Sequence, residues 1–442
     1  MQAAIHKNYP NTKCEFLLTN RTPDKKLNRK GFEWFCNQVK LLENLRFSND
    51  EINYLKLKIG YLGNDEYFNW LKSIKLNPDN EIQIIPEFDI NDNDKINLII
   101  KASGNWEIIT LYEIPILSLL SECYFKFVDT NWIINNNEVA ILKDGEFDES
   151  ILKPNFKIVH DQAYLKAKKL LNSGCIFSEF GTRRRRSYEI QKIVMQGIMD
   201  CVNDDNDNKE RNLGSFLGTS NILFAKEFNV NPIGTIGHEW MMGVGAIQSI
   251  KTKNSNNNLP NYDAYLTANK LAMEQYVNLV GPNHAGLALT DTYGTDNFLN
   301  QFNEPYINYY IGVRQDSGDP KEYALKLSNW YKEKGYFNEN KKMICFSDSL
   351  NVEKCIELKK LCDNYGIKSI FGIGTNFTND FQSEPMNIVM KLTSCGGGHA
   401  IKISDNIAKN MGDPTTVQEV KIRLGYVEHK WAGGDEAHRW KK

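Results

Sequence analysis

Nowhere in the sequence do about eighteen apolar residues run together, the length a membrane-spanning helix requires. The opening residues, MQAAIHKNYP, lack the charged lead and apolar core of a secretory signal. The nine cysteines, at 14, 36, 123, 175, 201, 345, 355, 362 and 395, are odd in number and include no CxxC pair. No His/Cys cluster has zinc-finger spacing either, so reduced thiols are expected rather than a disulfide framework or structural zinc. Charge of one sign is missing too. The 53 Lys and Arg against 55 Asp and Glu give a formal net charge of -2, which predicts no general affinity for nucleic acid or membrane surfaces. Finally, no GxxxxGK[ST] occurs and no GxGxxG follows a strand, which argues against a P-loop ATPase and a dinucleotide-binding fold. These absences leave a soluble chain, expected in the cytoplasm with nuclear entry left open.

What is present is an ordinary globular composition, 41% hydrophobic and 11% aromatic over 442 residues, enough for two or three domains with a real core. Residues 1–150 read as an α+β domain, completed by about 412–442. EFLLTNR at 15–21 is strand-like, and GFEWFCNQVKLLENL at 31–45 has helical spacing. NDEINYLKLKIGYL at 49–62 predicts a helix opened by an Asn/Asp cap. Two strands, 81–90 and 95–104, flank an NDND turn, and 106–127 reads as strand running into helix. No catalytic cluster stands out there, so the region reads as scaffold or lid. The Asn/Asp-rich stretches at 135–138, 202–210 and 252–261 lack apolar periodicity and predict surface loops.

From about residue 150 short apolar runs recur, each ending in a polar residue or glycine before a helical stretch. They end near Phe180, Arg314, Asp348 and Gly374, and the last three are 34 and 26 positions apart, the length of one strand plus one crossover helix. A parallel α/β sheet over 151–411 is expected, with its strand ends gathered at one mouth. At the centre lies IGTIGHEWMMG, 233–243, a strand-to-helix corner with His238 at its tip. Alone, such a histidine is as readily a satisfied helix-start residue as a catalytic one.

The remaining strand ends add company. FGTRRRR at 180–186 reads in isolation as a solvated basic helix start; the sharper reading is an aromatic platform, Phe180, beside an anion-binding Arg183. VRQDSGDP at 313–320 delivers Arg314 and Asp316 together, an anion clamp with hard oxygen ligands suited to Mg²⁺. GIGT at 372–375 and CGGGHA at 395–400, with Lys402 and Ser404 beyond, are glycine turns able to cradle a phosphorylated ligand.

These stretches carry a family resemblance. SEFGTRRRRS, LGTSNILFAK, GTIGHEWMMG, LALTDTYGTD, VRQDSGDP, SDSLNVEK, FGIGTNFTND and AIKISDN, in this order, resemble nicotinate phosphoribosyltransferases of the fungal and bacterial type, from about residue 9 to the C-terminal EAHRW. The resemblance implies an irregular type II phosphoribosyltransferase α/β barrel packed on the α+β domain. It implies that nicotinate and 5-phosphoribosyl 1-diphosphate give nicotinate mononucleotide and diphosphate, coupled to ATP hydrolysis, in NAD biosynthesis. Position by position, it makes His238 the phosphohistidine, and gives nicotinate contacts to Thr235, Arg314, Phe180 and Arg183. Thr375, Gly374, Asp348, Gly397 and Gly398 would hold the phosphoribosyl diphosphate. Asp291 and Asp316 would act around the ribose, with Asp316 also toward Mg²⁺. Ser220 stands where nicotinamide-using relatives carry aspartate, favouring nicotinic acid.

The family's opening Asp-x-Tyr-Lys-like segment, whose tyrosine stacks on the other face of the ring, has no match in MQAAIHKNYP. The expectation is either a start at an internal methionine or a site without that wall. Two further readings stay open: a nicotinamide phosphoribosyltransferase, and a catalytically silent binding paralogue. The expected partners are the small-molecule substrates and, within a homodimer, a second copy of the chain.

Overall fold

The structure, a computed structural model, describes residues 1–130, 132–134, 138–140, 149–207, 214–253, 259–336, 342–406 and 409–427. Of the stretches expected as surface loops, 135–137, 208–210 and 254–258 lie outside these residues, as do 428–442, whereas 202–207 are not loop but the end of the helix Tyr188–Asp207.

Two sheets organise the chain. The first begins with β1 (Lys13–Asn20), β2 (Ile82–Phe88) and β3 (Ile96–Asn105). β2 and β3 form the antiparallel hairpin that the NDND turn predicts, with Ile85 opposite Ile99. β1 turns Cys14, Phe16 and Leu18 into the core at the alternation a half-buried strand requires. The helix Arg29–Leu41 buries Phe35 and Val39 and is capped by Asn28, whose side chain accepts from Gly31 N–H. The next helix, Asn49–Ile59, is opened by Ser48 rather than by the Asn/Asp pair: Ser48 and Glu51 accept reciprocally from each other's backbone in a capping box.

Residues 106–127, expected as strand into helix, are helical from the first residue: Trp106–Ile109, a tighter turn Thr110–Tyr112, then Glu113–Phe127. Here the apolar run carries no period that separates strand from helix, and only its length decides. Trp106–Phe127 is long and apolar enough to cross a membrane, and it is mostly buried inside the fold, with Ile116, Leu117, Leu120 and Phe125 at its core. A two-stranded hairpin, β4 (Trp132–Ile134) with β5 (Glu138–Ala140), follows it.

The second sheet is parallel and seven-stranded: β6 (Ile176–Glu179), β7 (Ser215–Thr219), β8 (Asn231–Pro232), β9 (Leu287–Leu289), β10 (Gly312–Gln315), β11 (Met343–Phe346) and β12 (Lys368–Ile373). Its order, β8-β7-β6-β12-β11-β10-β9, leaves β8 and β9 as edges among the described residues, so the expected barrel is a curled half-barrel. Buried between layers, the central strands are rich in apolar residues; Phe177, Val313, Ile344, Phe346, Phe371 and Ile373 are almost fully covered. The crossover helix Pro320–Glu333 starts on Asp319 with proline at its first turn, and Val352–Tyr365 stops at Gly366 in the left-handed region (φ 74°).

Two pieces cross the expected domain boundary. β13 (Ile388–Cys395) and β14 (Gly398–His399) fall within 151–411, yet β13 pairs antiparallel with β1 and extends the first sheet to the order β14-β13-β1-β3-β2. In the other direction, the helix Pro414–Leu424 packs on the barrel helix Asp263–Val280, where Arg423 meets Asp263 at 3.2 Å. An apolar alternating strand states which face is buried but not which sheet it joins, so the pairing of β13 with β1 is not readable locally.

Candidate active site

The parallel register brings all seven C-terminal strand ends to one side, and all but that of β9 border a cavity of about 1240 Å³ whose other wall is the first sheet and its helices. Thus the N-terminal region, read as scaffold or lid, contributes Arg46, Phe47, Glu113 and Ile114 to the cavity lining.

His238 is the first residue of the helix His238–Lys251, after Gly237 in extended conformation. The strand end before it is apolar and the helix behind it is buried, so the imidazole is fixed at the cavity floor. Its Nδ1 lies 2.9 Å from Thr292 Oγ1, and its Nε2 lies 3.0 Å from Asp316 Oδ2 and 2.9 Å from Lys402 Nζ. Asp291 Oδ1 stands 3.6 Å from the same Nε2. Burial, then the Lys402 ammonium, hold the imidazole below its ordinary range against the two carboxylates. A helix N-terminus acts in the same direction. The group is a neutral imidazole with one nitrogen facing charged groups.

The carboxylates beside it are paired. Burial pushes Asp316 up, but Arg314 above all, with His238 and Lys402, holds it well below the usual carboxylate range. Arg314 donates to Asp316 Oδ1 at 2.7 Å, Ser347 Oγ at 2.8 Å, Thr235 Oγ1 at 2.8 Å and the Ile236 carbonyl at 3.2 Å. All three of its nitrogens are engaged, so it fixes three strand ends to one another. Asp291, almost fully buried, accepts from Ser317 and lies 3.6 Å from Lys402; burial raises its carboxyl, and Lys402 and His238 bring it below its ordinary value. Lys409 bridges the Asp316 carbonyl and Asp348 Oδ2, each at 2.8 Å.

On the opposite rim, Phe180 follows β6 and is half-buried, with its ring over Gly372: a Cβ there would lie 3.4 Å from Phe180 Cδ2. Arg183 borders the cavity and lies 3.8 Å from Glu113. The rest of the arginine run is not a solvated face. Arg184 is buried and donates to the Ile388 carbonyl and Asn387 Oδ1, Arg185 pairs with Glu122 at 2.7 Å, and Arg186 is sandwiched between Phe125 and Phe381. The run bolts β6 to the helix Glu113–Phe127 and to β13, and it is the sheet-to-sheet interface that buries it.

Phe180, Arg183, Ser220, Thr235, His238, Arg314, Asp316, Asp348, Gly374 and Thr375 all line the cavity, and Asp291 lies directly behind His238. Gly397 and Gly398 do not. Gly397 lies in the β13–β14 turn in the left-handed region (φ 83°), and Gly398 opens β14 so close to the His238 helix that a Cβ there would sit 2.1 Å from the Ala246 carbonyl oxygen. Gly398 answers to helix packing and Gly397 to its left-handed backbone. Sequence reading missed Thr292, Ser347 and Lys409. Thr292 and Ser347 sit in the polar runs TDTYGTD and SDSLN, which could have flagged them, whereas Lys409 is a lone lysine in a polar loop and carries no signal.

A parallel α/β half-barrel that gathers a neutral imidazole, an arginine-braced carboxylate and a glycine turn around one large cavity defines the class: an α/β-barrel enzyme of group transfer to or from anionic ligands. Comparison with known proteins narrows the class. Residues 175–428 match the nicotinate phosphoribosyltransferase (NAPRTase) family, and residues 1–121 match the N-terminal domain of that family. Nicotinate phosphoribosyltransferase from Saccharomyces cerevisiae is 46% identical, over 100% of this chain and 96% of its own. The corresponding protein from Methanococcoides burtonii is 33% identical, covering 96% and 95%. Among solved structures, that from Saccharomyces cerevisiae superposes with a TM-score of 0.85 at 45% identity, covering 97% of this chain and 95% of its own; that from Porphyromonas gingivalis gives 0.78 at 28%, covering 96% of each. The chain belongs to the nicotinate phosphoribosyltransferase family.

Proposed function

We propose that this chain transfers the phosphoribosyl group of 5-phosphoribosyl 1-diphosphate to nicotinate, and that ATP drives the reaction through phosphorylation of His238. The observation that carries the ATP step is the environment of one atom. Nε2 of a neutral imidazole faces the cavity side, 2.9 Å from the Lys402 ammonium and 3.0 Å from Asp316, while Nδ1 is turned onto Thr292. Attack by that lone pair on the ATP γ-phosphorus forms an N–P bond and releases ADP. The new phosphoryl charge then stands beside Lys402, which offsets it, and beside Asp316, which it repels. Because Asp316 is braced by Arg314, and Arg314 holds Thr235 and Ser347, repulsion at one atom reaches three strand ends. This supports a coupling between ATP use and the substrate sites.

Nicotinate is proposed to lie on Phe180, with Arg183 toward its carboxylate and Ser220 and Thr235 along its edge. Arg314 serves to hold Thr235 in place through its 2.8 Å bond to Thr235 Oγ1. Phosphoribosyl diphosphate is proposed to take the Gly374–Thr375 turn and the Asp348–Lys409 side, with Asp291 and Asp316 stabilising positive charge at C1 as the bond to diphosphate breaks.

Mg²⁺ binds through one or two carboxylates plus phosphate oxygens and keeps several waters. Among the described residues no three acidic, His or Cys side chains gather as a metal site, and both Asp316 oxygens already have partners. The residues suit an ion that enters with the diphosphate as part of the substrate, not one held by the chain alone.

The test is diphosphate release with nicotinate or nicotinamide, with and without ATP, together with transfer of ³²P from γ-labelled ATP. ATP-stimulated turnover with nicotinate only, and label on the wild type but not on His238→Ala, is expected. Turnover with nicotinamide only would assign the other substrate, and a folded protein with neither turnover nor label would make the chain a binding paralogue.

A further inference from the structure

Glu179 ends β6, one residue before Phe180, and is completely buried. Its carboxylate collects three donors: Thr219 Oγ1 at 2.5 Å, Gly181 N–H at 2.5 Å and Gln191 Nε2 at 3.1 Å. They come from three separate pieces of chain, namely the end of β7, the turn that leads to Arg183, and the helix Tyr188–Asp207. Gln191 Nε2 also donates to Thr182 Oγ1 at 2.7 Å, and Asn221 Nδ2 donates to that hydroxyl at 3.2 Å. The backbone continues the pattern. Ser220 N–H donates to the Glu179 carbonyl, and Ile233 N–H donates to the Thr219 carbonyl, each at 2.9 Å; from Ile233 the chain runs straight to Thr235.

One buried carboxylate is therefore tied, directly or through one partner, to every segment that bears Phe180, Arg183, Ser220 and Thr235. The packing leaves no slack. A Cβ on Gly181 would lie 2.2 Å from Thr378 Oγ1 and 2.8 Å from Glu179 Oε1, so only glycine lets the turn close over the carboxylate. A buried polar network with all its members bonded is rigid, and it loses that property when one member is removed. Glu179 itself does not line the cavity. The three side-chain bonds run to Thr219, Gly181 and Gln191, all on the ring side of the cavity and away from β10, β11 and the Asp348–Lys409 side.

We propose that Glu179 is a positioning residue for the ring subsite: it fixes the spacing between the Phe180 ring and the Ser220–Thr235 wall, and so sets affinity for the pyridine acid without touching it. The inference rests on reading that wall as the nicotinate subsite.

The test measures steady-state kinetics of the full chain against each substrate separately. Thr219→Val removes one donor to the carboxylate at nearly constant shape, and Glu179→Ala removes the hub. Each is expected to raise KM for nicotinate about tenfold, the size of one buried hydrogen bond left unmade. KM for phosphoribosyl diphosphate and kcat are expected to stay within about twofold. Glu179→Gln can still accept from Gly181 and Gln191 while the Thr219 hydroxyl turns to accept, so it is expected to restore KM for nicotinate to within about threefold of wild type. Circular dichroism checks folding, and Thr219→Val decides the matter should Glu179→Ala fail to fold. An unchanged nicotinate KM in folded Thr219→Val, both KM values rising together, or a glutamine variant no better than alanine would overturn the inference. Wild-type turnover tests the subsite reading and the variant-to-wild-type ratio tests this inference; a wild type silent with nicotinate removes both.

Discussion

The two ring nitrogens of His238 face different chemistry, and that difference sets what the residue can do. A neutral imidazole carries one proton. The tautomer able to attack phosphorus carries its lone pair on Nε2, where Lys402 Nζ donates at 2.9 Å, and its proton on Nδ1, where Thr292 Oγ1 accepts at 2.9 Å; the other tautomer donates from Nε2 to Asp316 Oδ2 at 3.0 Å. Thr292→Val keeps the shape and removes that acceptor. Single-turnover labelling from γ-³²P ATP is expected to slow about tenfold or more, since a buried N–H is left unpaired in the reactive tautomer. An unchanged labelling rate would remove Thr292 from the mechanism.

Lys402 makes a second, pH-dependent demand. Burial and this ammonium hold the imidazole below its ordinary value, so labelling falls as pH drops through that lowered folded value. In Lys402→Met the cation is gone while Asp291 and Asp316 remain, and they favour the protonated ring. The acid limb of the labelling profile is expected to move toward higher pH, with a lower plateau because the phosphoryl charge loses its counterion. A limb that stays in place, or moves to lower pH, would contradict the assigned electrostatics.

At the scale of elements, the His238 helix is held by its far face. Gly243 lies against Trp106, and a Cβ there would stand 2.2 Å from the indole Cη2; Trp106 also donates to Glu239, the next residue after His238, at 2.5 Å. At an exposed helix position Gly→Ala stabilises by up to about 1 kcal/mol. Gly243→Ala should instead destabilise by about 1–3 kcal/mol through overpacking, read as a lower Tm in thermal denaturation. The sign alone separates the two cases.

Elements also show where sequence reading succeeds and where it stops. The strand ends at Phe180, Arg314, Asp348 and Gly374 were legible because each parallel strand is a short apolar run that terminates in the residues facing the cavity, and that pattern is local. Membership of β13 in the first sheet was not, since its partner β1 lies more than 360 residues away in sequence, as the Cys14–Cys395 pairing shows. The same holds for side chains. Arg314 and Asp316 are two residues apart and announce themselves together, while Lys409 reaches Asp348 from a loop with no pattern of its own. The arginine run misled for a related reason. Four adjacent charges look solvated until an interface is known to cover them, and the interface is made by Phe125, Phe381, Glu122 and Asn387, none of which the run encodes.

On the scale of the whole molecule, that arginine turn couples the two sheets, and the coupling makes the cavity a property of the assembled chain. One wall belongs to strand ends of the half-barrel and the other to the first sheet and its helices, so neither unit carries a complete site. Arg184 joins them most directly, with donation to the Ile388 carbonyl at 3.0 Å and to Asn387 Oδ1 at 2.8 Å from a fully packed position. Cooperative unfolding of wild type is expected, with tryptophan emission and far-ultraviolet circular dichroism tracing one coincident urea transition. Arg184→Met removes both bonds and the charge they carry, at a cost of about 2–4 kcal/mol. Because the loss falls on the interface and leaves each core intact, the two probes should separate, the less stable unit opening first. Activity should disappear with the earlier transition, since the cavity needs both walls. Coincident transitions in Arg184→Met, shifted together or not at all, would show that the sheets are held by apolar packing and that the arginines are incidental to it.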